Sequence, residues 1–159
     1  MIRAYKYTVL ALIIVLLSAA GLFGETITVN TLDDLRALSF GDVASGDTVE
    51  FAAGKTFDLS GEEWHPMRNK GTIKGNGATI ILGDIEYSYY PSYGQEYYGF
   101  VDRNEGQIED LHFRLGKDLT FGESTRFQIG GVVCACNVGY GTVNRCSVDG
   151  TGPDRPRSI

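Results

Sequence analysis

The sequence predicts an all-β fold. It reads as a short solenoid of stacked repeats, closed at its N-terminal end by one small capping helix and preceded by a signal peptide. Three observations carry that expectation. First, a glycine-led phrase returns at one spacing, as Gly71-Thr72-Ile73, Gly106-Gln107-Ile108 and Gly141-Thr142-Val143, each 35 residues after the last. A fixed period of about 20–50 residues marks a stacked-repeat architecture in which each repeat contacts only its neighbours. Second, Gly, Thr, Val, Ile and Tyr mix in short alternating runs with few long amphipathic stretches, which reads as strands broken by frequent turns. Third, the first 24 residues are laid out as an export leader.

In that leader, Arg3 and Lys6 supply a positive start and Val9 to Leu17 an unbroken apolar run. Ser18-Ala19-Ala20 then offers the small residues of a cleavage site. The apolar run is too short for a comfortable membrane span. An uncleaved N-terminal anchor is the alternative. Cleavage after Ala20 and after Gly24 both fit, and no Cys near the site marks a lipoprotein. The expected address is therefore secreted or cell-surface, with no membrane span once the leader is removed. The whole chain carries a formal charge of −6 with no basic run or stripe, which argues against nucleic-acid binding. What remains after residues 1–24 suffices for one domain over residues 25–150, followed by a polar tail over residues 151–159.

Along that domain, Thr26-Ile27-Thr28-Val29 alternates as a short strand. Asn30 or Thr31 can cap a helix, with Asp33 and Asp34 well placed in its first turn. Leu32, Leu35 and Leu38 share one face, and Gly41 follows the end. Gly46-Asp47 signals a turn before the alternating Thr48-Val49-Glu50-Phe51, and Ala53-Gly54-Lys55 turns the chain into Thr56-Phe57-Asp58-Leu59. Trp64, Gly71 to Lys74 and Ala78 to Leu82 follow. An open stack of strands exposes apolar interior and backbone groups at its ends, and the leucine helix sits where a cap is needed.

Residues 84–98 break this rhythm. Tyr87, Tyr89, Tyr90, Tyr93, Tyr97 and Tyr98 crowd around Pro91 and Gly94, and the segment reads as a loop inserted between repeats. Tyrosine offers a large contact area at low entropic cost, so such loops bind protein partners or sugars. The alternative is that the rings cover the flank of the stack. Further on, three cysteines, Cys134, Cys136 and Cys146, are permitted a disulfide by export. Cys134 and Cys136 point to one face of a strand, a poor geometry for bonding each other. Cys136–Cys146 and Cys134–Cys146 are the candidate bridges, with one thiol left over. Three soft ligands without a nearby His do not make a metal site, and nothing in the sequence calls for a cofactor.

Ile129-Gly130-Gly131-Val132-Val133, continued by Gly139-Tyr140-Gly141-Thr142-Val143-Asn144-Arg145-Cys146-Ser147-Val148-Asp149-Gly150, resembles a GLUG motif. Gly99-Phe100-Val101 through Gly106-Gln107-Ile108-Glu109-Asp110-Leu111 looks like a degenerate preceding copy. Upstream, Phe57 to Gly61, Trp64 to Met67 and Gly75 to Ile80 are similar to the lead-in of these repeats in bacterial surface proteins. Gly46 to Phe51 resembles the opening coil of pectate-lyase-like β-helices. The resemblance spans about residues 26–150 and implies a right-handed parallel β-helix in a secreted or surface protein, of a kind found in adhesins and in non-catalytic parts of peptidases. The chain lacks a His-Glu-x-x-His pair, so no peptidase activity follows.

In such a fold Ile73, Ile108, Leu111, Phe113, Val143, Cys146 and Val148 face inward. Asp110, His112 and Arg114 then face outward in a row that invites acid–base chemistry. At a 35-residue register, however, Asp110 stacks on Arg145, His112 on Ser147 and Arg114 on Asp149, about 4.8 Å apart. Such a ladder is a structural device, and no catalytic residue is assigned. Asp102 and Glu105 share a polar turn, and His65 between Trp64 and Pro66 reads as structural. The expected function is a non-catalytic surface module of adhesion type that meets a surface glycan or a protein, or a second copy through the open distal end. Carbohydrate binding or polysaccharide-lyase-like activity is the alternative.

Overall fold

The computed structural model describes residues 24–90, 94–116 and 126–150. The leader segment before residue 24 and the tail over residues 151–159 lie outside them. The described chain is mostly strand with one short helix. In order, it forms β1 (Thr26–Val29), α1 (Leu32–Arg36), β2 (Asp42–Val43), β3 (Thr48–Phe51), β4 (Thr56–Trp64) and β5 (Met67–Asn69). There follow β6 (Thr72–Ile85), β7 (Tyr87–Tyr90), β8 (Gln95–Tyr98), β9 (Val101–Asn104) and β10 (Gln107–Leu115), then β11 (Phe127–Gly130), β12 (Cys134–Asn137), β13 (Thr142–Asn144) and β14 (Ser147–Asp149).

These strands form three sheets. One runs β1-β3-β6-β10-β13, with β4 beside β6 and β14 beside β10; the second is β12-β9-β5-β2; the third is β11-β8-β7. Every pairing is parallel except β7 with β8. From β5 onward the chain visits the second, first and third sheets in turn and then begins again, so that each pass lays a tier on the one before. The sequence period is the register of these tiers: Ile73 lies opposite Ile108 and Ile108 opposite Val143.

That register builds apolar columns. Val49, Ile73 and Ile108 form one, Phe57, Ile80 and Phe113 another, and all six are buried. Trp64 stacks on Phe100 with ring centroids 4.9 Å apart, and Phe100 meets Phe113 edge-on at 5.2 Å. The indole Nε1 donates to the Phe100 carbonyl at 2.9 Å, which satisfies its one polar atom inside the core. Val143 and Val148 continue the two columns but are 40% and 43% exposed, because among the described residues no further tier covers them. Cys146 is half-buried for the same reason. The inward positions are thus as expected, and burial fails only on the last tier.

The recurrent glycine has a steric cause. A Cβ on Gly106 would stand 2.0 Å from the Gly71 carbonyl oxygen, on Gly71 2.3 Å from that of Asp47, and on Gly141 2.4 Å from that of Asn104. Each tier passes over the last too closely for any side chain there. Beside this column runs a polar one. Asn69 donates to Asn104 Oδ1 at 2.7 Å, and Asn104 donates to Asn137 Oδ1 at 2.8 Å. The same amides reach the backbone carbonyls of Gln107 and Thr142 at 3.1 and 3.2 Å. Asn69 and Asn104 are fully buried, and the ladder satisfies their donors where water cannot. The corners repeat as well: Asn76, Asp110 and Arg145 all hold a left-handed φ near 50°.

The helix is capped as the residues predict. Thr31 Oγ1 accepts from the Asp34 amide at 3.1 Å, while Asp34 Oδ2 accepts from the Thr31 amide at 2.8 Å, a reciprocal capping box. Leu35 and Leu38 are buried in the core and Leu32 packs against it, next to β1. Residues 84–98, expected as a loop, contain a hairpin instead: β7 and β8 pair antiparallel, with Tyr87 opposite Tyr98. Tyrosine suits a half-buried pleated surface, and Gly94, just before β8, turns with a left-handed φ of 60°.

Candidate functional site

The outward row on β10 stacks as the spacing requires. His112 lies opposite Ser147 and Arg114 opposite Asp149. Arg145 Nε and Nη2 donate to the two Asp110 carboxylate oxygens at 2.5 and 2.6 Å, and the guanidinium approaches Glu109 at 3.6 Å. That hydrogen bonding holds the Asp110 carboxyl below its ordinary range and pushes the Arg145 guanidinium higher still. His112 Nδ1 sits 2.8 Å from Ser147 Oγ. Asp110 and His112 are therefore engaged with the next tier and act as struts. Asp102 and Glu105 part company: Glu105 pairs with Arg103 Nε at 2.9 Å, while Asp102 is buried elsewhere.

The tyrosines separate into different environments. Tyr98 is buried, with its hydroxyl donating to Glu96 Oε2 at 3.2 Å and accepting from Gln128 Nε2 at 3.3 Å. Burial, reinforced by the bond to Glu96, raises the Tyr98 phenol above its usual range. Tyr97 donates to Gln95 at 2.5 Å. Tyr89 and Tyr90 contribute backbone to β7, and Tyr93 and the side chains of Tyr89 and Tyr90 fall outside the described residues. Among the described tyrosine side chains of this segment, Tyr87 lines a pocket and is held against Tyr98 with ring centroids 5.9 Å apart.

That pocket, of about 380 Å³, opens where α1's trailing loop, the second sheet and the hairpin meet. Its walls include Phe40, Asp42, Arg68, Tyr87, Ser88 and Asp102. Asp42 on β2 is the register partner of Arg68 on β5. Between β5 and β9 the register slips, with Met67 opposite Val101 but Arg68 opposite Arg103, so Asp102 is the extra residue of a bulge. Bulges re-aim a side chain, and this one sets a 4%-exposed carboxylate into the pocket wall. Arg68 and Asp102 are each engaged by neighbouring groups.

Phe40 is the outlier. It is 72% exposed and holds a φ of 61°. For a residue with a Cβ that conformation costs about 1–2 kcal/mol. It is retained by His65, whose ring stacks on Phe40 at 3.8 Å and whose carbonyl accepts from the Phe40 amide and the Ser39 hydroxyl, both at 3.4 Å. His65 is structural, as its sequence context suggests, but what it props is an outward-facing aromatic ring. The sequence singles out neither Phe40, Asp42 nor Arg68. They lie in three segments that share no period, and only the Phe40-Gly41-Asp42 exit from the helix hints at a special backbone.

Cys134, Cys136 and Cys146 are half-buried free thiols on the last tier. The Cys146 sulfur, common to both candidate bridges, lies 3.4 Å from the Asn144 carbonyl oxygen and 3.9 Å from that of Ile108. Burial raises the Cys134 and Cys146 thiols, with the neighbouring thiols adding to the effect at Cys134. Among the described residues no group of His, Cys, Asp and Glu is placed to hold a metal, and no helix is long and apolar enough to cross a membrane. No protein family, curated protein or solved structure matches the chain.

Proposed function

We propose that this chain is a secreted or cell-surface interaction module of adhesion type, without catalytic activity, built on a short right-handed parallel β-helix of the GLUG kind. The observation that carries the reading is the division of polar groups. The outward acid–base row of Asp110 and His112 is spent on tier-to-tier contacts, whereas two exposed aromatic rings, the exposed Asp42 and the buried Asp102 gather around the Phe40–Tyr87 pocket. The first is scaffold chemistry and the second is recognition chemistry. Fold alone licenses no reaction.

The test is direct. The full-length gene is expressed with a C-terminal tag in a Gram-negative and a Gram-positive host, and the tag is followed in cytosol, envelope and medium. Beads coated with purified protein are then offered to cells and to immobilised glycans. Export together with bead adherence supports the reading. Retention in the cytosol of both hosts, or beads that adhere to nothing, overturns it. A second reading, carbohydrate binding or polysaccharide-lyase-like activity, is favoured only in its binding half by the pocket. Accumulation of unsaturated product from a soluble polysaccharide would establish the other half.

A further inference from the structure

We propose that the pocket between Phe40 and Tyr87 is a sugar-binding site for a pyranose that carries no acidic group, displayed as one residue of a glycan. The inference rests on the carbohydrate-binding reading and gives it a place and a ligand class. Size is the first argument. A dry cavity of about 150 Å³ holds one benzene, so about 380 Å³ admits one or two six-membered rings and not a folded segment.

Chemistry is the second argument. A pyranose has an apolar C–H face and a rim of hydroxyls. Phe40 and Tyr87 offer exposed rings for the face. For the rim, carboxylates at Asp42 and Asp102 accept from hydroxyls and the Arg68 guanidinium donates to their oxygens. Charge is the third argument. Two carboxylates against one guanidinium leave the walls net negative, which repels uronates and sialic acids. A neutral sugar meets no such penalty.

Preorganisation is the last argument. Phe40 is fixed in a left-handed conformation by its stack on His65, and Tyr87 is fixed by its pairing opposite Tyr98. Aromatic rings held outward in this way lose little freedom when a ligand arrives. The bulge at Asp102 places a buried carboxylate beside them, where hydrogen bonds gain strength from exclusion of water.

Purified full-length protein is tested on immobilised neutral hexose and N-acetylhexosamine oligosaccharides, uronate oligosaccharides and de-acetylated amino-sugar oligomers, with titration calorimetry on those that bind. Phe40→Gly and Asp102→Asn are measured alongside Tyr140→Ala, an exposed ring outside the pocket. Trp64 fluorescence checks that each variant is folded. The expected result is neutral-sugar binding that weakens about tenfold or more in both pocket variants, a change of about 1.4 kcal/mol, and is unaltered in Tyr140→Ala. Binding of neutral sugars that Phe40→Gly leaves intact overturns the site while the carbohydrate reading stands. Preference for uronates over neutral and amino sugars overturns the ligand class. Failure of every sugar class to bind overturns both.

Discussion

Arg145 lies one tier beyond Asp110 and grips both oxygens of its carboxylate, at the one corner where each residue also holds a left-handed φ. The ion pair thus ties together two backbone bends of the same shape. Because the guanidinium holds the Asp110 carboxyl below its ordinary value, the folded state sheds that proton more readily than the unfolded chain does. The stability this supplies is complete above the ordinary aspartate range near about 3.9 and drains away as pH falls through the lowered value. Thermal melting across acid pH should show a descending limb that Asp110→Asn flattens. The pair is solvent-exposed, so high salt should shrink the difference between the two proteins.

Glu63 works in the opposite sense. A hydrogen bond that the protonated Glu63 carboxyl donates to Glu86, together with that group's charge, raises the Glu63 carboxyl above its usual range. The folded state therefore keeps a proton that the unfolded chain loses. That contribution is complete below about 4.3 and is lost as pH rises through the raised value. Glu63→Gln should melt higher than the parent at neutral pH and coincide with it in acid. Equal melting temperatures at both would show that the two carboxyls do not share a proton.

Asn104 stands in the middle of the asparagine ladder. Asn104→Ala removes the acceptor for the fully buried Asn69 amide, and the donor to Asn137 and to the Thr142 carbonyl on the exposed last tier. Leaving the buried Asn69 donor short of a partner costs about 1–3 kcal/mol. Urea titration should show that loss as a lower midpoint with an unchanged slope.

Gly106→Ala should be at least as damaging, although it adds a single methyl group. The added carbon would lie 2.0 Å from a backbone oxygen that cannot move without parting two tiers. The expected loss is about 1–3 kcal/mol or more. Gly61→Ala is the control, because a Cβ there meets nothing within 4 Å. Comparable stability of the two variants would mean that the tiers can separate freely.

Phe40→Ala and Phe40→Gly both delete the ring and its stack on His65, yet they differ in backbone cost. Alanine keeps the strained left-handed conformation and glycine relieves it. The glycine variant should be the more stable of the two by about 1 kcal/mol, read as a difference between their denaturation midpoints.

Much of the scaffold was legible because its signal is periodic. The spacing of Gly71, Gly106 and Gly141 is the tier register itself, and it correctly placed Ser147 over His112 and Arg145 over Asp110. The capping box at Thr31 was readable from four adjacent residues. The asparagine ladder was not, since Asn69 and Asn104 precede their glycines by two residues but Asn137 precedes Gly141 by four. The pocket was invisible for a deeper reason. Phe40, Asp42, Arg68 and Asp102 meet only through tier stacking plus a one-residue bulge, and a bulge leaves no mark on composition or period. Of the crowded tyrosines, Tyr87 lines the pocket and Tyr98 is buried.

The displaced asparagine has a consequence of its own. Asn137 follows Asn104 by 33 residues rather than 35, yet β13 still meets β10 in the frame of the preceding tier. Two additional residues are absorbed between Asn137 and Gly141, where Gly139 turns left-handed and Tyr140 projects almost wholly into solvent. Length is therefore negotiable at the rim and fixed along the columns. A foreign epitope spliced between Gly139 and Tyr140 would be displayed on a surface that keeps its own count.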